Sequence, residues 1–168
     1  PLIGVDDIPL FLTDSGEVES FSQEFRLDTR LDGPMQFLLG AFYQDVEKKQ
    51  RQDFVFDGNP ALDPFGGELL FESKLSESLE QLAFFGEVSY ELSDELTAVV
   101  GARHFDYDQT TSDTNNGLFN GGFSENNLAN DDSGQTYKLG LTYIPSETAT
   151  YYATFAQGFR LGGPQPSV

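Results

Sequence analysis

Hydrophobic and polar residues alternate with a period of two along most of this chain, the mark of half-buried β-strands. Residues 21–31 set Phe21, Gln23, Phe25, Leu27, Thr29 and Leu31 against Ser22, Glu24, Arg26, Asp28 and Arg30. Residues 35–46 set Met35, Phe37, Leu39, Ala41 and Tyr43 against Gln36, Leu38, Gly40, Phe42 and Gln44. The same alternation returns over 78–92, 96–108, 135–144 and 149–160. Six strands are predicted, at about 20–31, 35–47, 78–92, 96–109, 135–144 and 149–160.

The breaks between strands are of two kinds. Asp32-Gly33-Pro34, Ser93-Asp94-Glu95 and Pro145-Ser146-Glu147 read as tight turns, from Gly, Pro and short polar residues. Residues 48–76 and 110–134 are polar and rich in Gly, Asn, Ser and Asp, and they read as long loops. Short and long connections alternate strictly. Membrane-spanning β-barrels have that asymmetry, whereas long structureless loops are uncommon in compact domains. The fold class is therefore all-β, an antiparallel up-and-down meander. Six strands are too few to close a transmembrane barrel, which starts at about eight.

Composition narrows the function. The chain has 168 residues, 9 Lys plus Arg, 28 Asp plus Glu, and a formal charge of −19. No nucleic-acid partner is expected, because phosphate neutralisation needs clustered cations. No Cys and one His exclude disulfides, thiolate metal sites and a multi-His centre within this chain. No stretch approaches the ~18 apolar residues of a membrane helix, but a spanning strand needs only ~9–11. Phe21, Tyr43, Tyr90, Tyr143 and Tyr151 near strand ends suit interfacial girdles.

Four segments follow in order: FSQEFRL (21–27), LLGAFYQ (38–44), LAFFGEVSYELSDELTAVVGARHF (82–105) and YKLGLTYIPSETATYYATFAQGFRLGG (137–163). Together they resemble the barrel of TonB-dependent outer-membrane receptors. The resemblance covers about residues 19–163, without the long loops. Ser93, where the family often has Thr, and Pro164, after the Gly-Gly pair, depart from it. The resemblance implies a section of a 22-stranded barrel, with the N-terminal plug domain absent from this chain. It implies a receptor in the outer membrane of a Gram-negative bacterium that imports a scarce solute, above all a ferric siderophore. Energy would come from the TonB complex through the missing N-terminal part, and outer-membrane lipid would surround the wall. No cofactor and no catalytic residue are expected.

It also fixes a direction. The three tight turns would be periplasmic, and residues 1–18, 48–76, 110–134 and the tail after Arg160 extracellular. Glu24, Arg26, Gln44, Glu87, Arg103 and Lys138 are the lumen-lining candidates, being polar residues in mid-strand. Phe54, Phe56, Phe119 and Phe123 in the long loops either contact the solute or pin the loops together.

Other chemistry has weaker support. Asp106, Asp108, Asp113, Glu125, Asp131 and Asp132 crowd a segment without Lys or Arg, which would suit a divalent cation. No calcium-loop spacing accompanies them, so solvated loops are the plainer reading, and metal binding stays open. His104, Asp106 and Asp131-Asp132 carry groups for acid–base catalysis, and Glu24 and Glu87 for a glycosidase pair, without any privileged geometry. The alternative to the receptor is a soluble, secreted all-β binding module with acidic, cation-binding loops.

Overall fold

The fold comes from a computed structural model that describes residues 10–56, 65–158 and 160. Six strands follow one another: β1 (Leu10–Asp28), β2 (Met35–Phe56), β3 (Glu72–Ser93), β4 (Leu96–Asn116), β5 (Ser124–Ser146) and β6 (Ala149–Ala156). They form one sheet in the order β1-β2-β3-β4-β5-β6, with every pairing antiparallel. The sheet curls into a half-barrel.

The strands are longer than the apolar alternation indicates. β2 runs to Phe56, β3 begins at Glu72, β4 reaches Asn116 and β5 begins at Ser124. Most of the expected loops 48–76 and 110–134 is thus strand. The physical reason is that ladder hydrogen bonds belong to the backbone and tolerate polar side chains on both faces. Apolar alternation marks only the part of a strand with one face covered by something apolar. At the other limits, β1 ends at Asp28 rather than near Leu31, and β6 ends at Ala156. The expected outer segment 1–18 is strand from Leu10 onward, and its residues 1–9, like the tail 161–168, lie outside the described residues.

Among the described residues the register slips twice, between Glu91 and Ser93 and between Tyr143 and Ser146, both at tight-turn ends. Pro145 sits at the second slip, where a strand tolerates a residue that cannot donate to the ladder. The β1–β2 turn is clamped by Gln36, whose side chain accepts from the Leu31 N–H and donates to the Leu31 carbonyl, both at 2.9 Å.

The opposite end of the sheet is fastened differently. The Leu118 and Phe119 N–H groups donate to the Leu69 and Leu70 carbonyls at 2.9 and 2.8 Å. This ties the β4–β5 connection, a single 3-10 turn at Leu118–Asn120, to the β2–β3 connection. Gly117 makes the approach possible. Its φ is +106°, and a Cβ there would stand 2.7 Å from the Leu70 carbonyl. Gly117→Ala is expected to weaken this fastening by about 1–3 kcal/mol, from backbone strain plus the clash. The measurement is hydrogen exchange at the Leu118 and Phe119 amides, which should quicken. Gly140→Ala, whose Cβ would meet Val99 at an ordinary 3.6 Å, should leave them unchanged.

Candidate functional site

In-register pairing puts opposed residues on the same face, so the ladders define two surfaces. On the convex face, the half nearest the tight turns is apolar. Row by row it carries Phe37–Val88–Val100–Leu139–Phe155 and Ala41–Phe84. These side chains are uncovered: Phe84 is 54 % exposed, Val100 56 % and Leu139 53 %. Large exposed apolar areas of this extent are interaction surfaces. Aromatic side chains border the band. Phe21 and Tyr43 approach to 6.3 Å at its upper edge, and Tyr143 and Tyr151 stack at 6.4 Å at its lower edge, on the same face as Tyr90.

Immediately above the band the convex face turns acidic. Asp45, Glu80, Asp108 and Asp131 are direct cross-strand neighbours on β2, β3, β4 and β5, and all four are exposed. Sequence reasoning placed Asp108 at the end of a strand and Asp131 in a loop, and missed this row. Its signal was the spacing of two in Asp45/Glu47 and Asp106/Asp108, the spacing of one strand face. Higher still, Arg51 and Lys74 face each other and are compensated by Asp53 and Glu72. The hydrogen bond to Asp53, its charge and that of Glu72 hold the Arg51 guanidinium above its ordinary pKa.

All six polar candidates, Glu24, Arg26, Gln44, Glu87, Arg103 and Lys138, share the concave face. Five of them gather, since only Gln44 stands away from the cluster. Arg26 pairs with Glu24. Lys138 reaches Glu87 at 2.9 and 3.1 Å across Gly101, which lies between them in the same row. Arg26 stacks on Phe85 and Arg103 on Phe42, at 5.9 and 5.5 Å from the ring centroids. Beyond them the concave face holds the buried cluster of Ala83, Phe105 and Tyr107, with Phe42 and Leu79 against it.

The four loop candidates divide. Phe54 lies in β2, not in a loop, and packs edge-on against Phe71 and Phe119 at 5.4 and 5.9 Å. Phe65 joins Phe119 at 6.3 Å, so these rings pin the connections together. Phe56 also belongs to β2, opposite Leu10, and Phe123 stays 66 % exposed. The acid–base set does not assemble: His104 and Asp106 are on the convex face, as is Asp131, while Asp132 is on the concave face opposite Tyr107. Among the described residues no group of three or more His, Cys, Asp or Glu is placed to hold a metal ion. No helix there is long and apolar enough to cross a membrane, which says nothing of strands.

A curled antiparallel meander with an uncovered apolar band outside and charges inside defines a section of a β-barrel wall. The chain belongs to the TonB-dependent receptor family: the family description "TonB dependent receptor-like, beta-barrel" matches residues 5–167. Members are outer-membrane transport receptors of Gram-negative bacteria, not enzymes. Among solved structures the chain is similar to the ferric yersiniabactin uptake receptor FyuA from Yersinia pestis. The TM-score is 0.71 at 17 % identity, over 87 % of this chain and 22 % of that one. That likeness shows the fold, and the chain spans about a fifth of that receptor's length. A search of curated proteins gives no match.

Glu80→Lys is expected to stabilise the protein by up to about 1 kcal/mol at low salt, by converting two like-charge pairs into opposite ones. Thermal unfolding in detergent should show a higher midpoint that falls back toward wild type as salt screens the row.

Proposed function

We propose that this chain is a section of the barrel of an outer-membrane importer that captures a scarce solute and takes it in with energy from the TonB complex. The observation that carries this reading is the convex apolar band, exposed between aromatic edges and closed above by carboxylates. Its dimensions suit a bilayer. Leu82 to Tyr90 spans about 27 Å along β3 at ~3.4 Å per residue, and a ~40° tilt makes that about 21 Å of height. The apolar band of outer-membrane barrels is about 25 Å tall. Above it β2 continues from Asp45 to Phe56, roughly 40 Å more, into the external medium.

On this reading Glu24, Arg26, Gln44, Glu87, Arg103 and Lys138 face the lumen. The fastened outer ends, with Phe123 uncovered, stand where a solute first meets the protein. The proposed solute is a ferric siderophore, supported by the family and by the likeness to FyuA, an uptake receptor for ferric yersiniabactin. The plug and the segment that meets TonB belong to parts of the receptor outside this chain. Growth of a knockout strain on single iron sources identifies the solute. Loss of use of one ferric siderophore supports the reading, and unchanged use of all of them, with loss of another nutrient, replaces it.

Membrane residence has its own test. Val100→Arg places a cation in mid-band and is expected to cost about 2–4 kcal/mol of folding stability in lipid vesicles. Ser112→Arg, on the same face above the carboxylate row, should cost no more than about 1 kcal/mol. Equal effects at the two positions would contradict a lipid-facing band.

A further inference from the structure

The charges that line the main cavity of the concave face do not balance. Glu24, Arg26, Glu87, Arg103 and Lys138 line one cavity of about 300 Å³. Glu24 is taken by Arg26, and Glu87 by Lys138. Three cations thus face two carboxylates, and the surplus charge falls on Arg103. Its guanidinium lies 5.5 Å from the centre of the Phe42 ring, and its Nε is buried without a hydrogen-bond partner among the described residues. Its cross-strand neighbours, Phe85 and Thr136, are uncharged. A ring face favours a cation but accepts none of its in-plane N–H groups. A half-buried charge in this state calls for an opposite one.

We propose that Arg103 is the docking point for a single carboxylate presented from the concave side. The inference rests on reading that side as the lumen. Two features select the chemistry. The fork of a guanidinium matches a carboxylate in two parallel hydrogen bonds. The surplus is one charge, and Glu24 and Glu87 close by oppose any group of higher negative charge, so a carboxylate fits better than a phosphate dianion. The carboxylate comes either from another segment of the same protein inside the barrel or from the solute.

The test uses the full-length receptor in outer-membrane vesicles. Arg103→Lys keeps the charge and supplies an amine that a water-soluble carbodiimide joins to any carboxylate in contact. The Lys138–Glu87 link serves as control for an intact wall. The expected result is an amide at position 103 to a carboxylate other than Glu24 or Glu87. A link to another segment of the chain assigns the partner to the protein, and a link to isotope-labelled acetate at a concentration that leaves exposed Lys49 unlabelled assigns it to a carboxylate from outside the chain. The control link without either overturns the proposal. If Arg103→Lys does not assemble, wild-type receptor is treated with phenylglyoxal. Measured against Arg30, the Arg103 rate should then either fall about tenfold when acetate is added or rise about tenfold once the protein's carboxylates are capped with carbodiimide and glycinamide, the ratio for ~1.4 kcal/mol of pairing. An Arg103 rate unchanged by both treatments overturns it. Neither result bears on the Val100→Arg and Ser112→Arg comparison, so the membrane reading stands or falls separately.

Discussion

Everything in this structure depends on one continuous antiparallel ladder. β2, β3, β4 and β5 each pair on both sides, so their backbone donors and acceptors are consumed whatever the side chains are. Among the described residues β1 and β6 pair on one side only, which leaves the sheet with two open edges. In a hydrocarbon medium only a closed ladder leaves no unpaired backbone group. Register also assigns every side chain to a face, since a slip by one residue would exchange convex for concave. The two slips lie at the tight turns, outside the rows that build the band and the charge cluster.

The same strands serve two environments along their length. Near the tight turns the convex face is apolar and the concave face holds charges as internal pairs. Farther up, the convex face carries carboxylates in direct opposition. Cross-strand like charges destabilise a sheet, but by an amount that water and salt keep small. They are therefore tolerable only on a surface that stays wet. The concave charges sit among aromatic rings, and there Lys138 and Glu87 bond each other at 2.9 Å instead of relying on solvent. The change of character between Tyr43 and Asp45 on β2, and between Leu82 and Glu80 on β3, marks one level across the sheet.

The ends of the sheet away from the tight turns are not free loops. Phe54, Phe65, Phe71 and Phe119 meet ring to edge, and backbone hydrogen bonds tie residues 69–70 to 118–119. Each aromatic pair of this geometry contributes about 0.5–1.5 kcal/mol beyond its burial. The two connections thus behave as one body, and the apolar surface they offer outward is Phe123, Leu118 and the open side of Phe119 rather than Phe54.

The period-two pattern by itself determined the strand count, the order of short turns, and which residues share a face. Glu24, Arg26, Glu87, Arg103 and Lys138 were legible as one polar surface because alternation is a local property of the backbone. What only the tertiary structure decided was how far the strands run and which side chains meet. Strand length beyond the band was hidden because polar residues on both faces carry no periodic signal, though their backbones pair as well as any. The acidic row was hidden because it joins Asp45 to Asp131, residues far apart in sequence that become neighbours only through three registers. Likewise Arg103 read as one lining cation among several. That its neighbours' carboxylates are already taken is a fact about distances across strands, and such distances exist only once the sheet has formed.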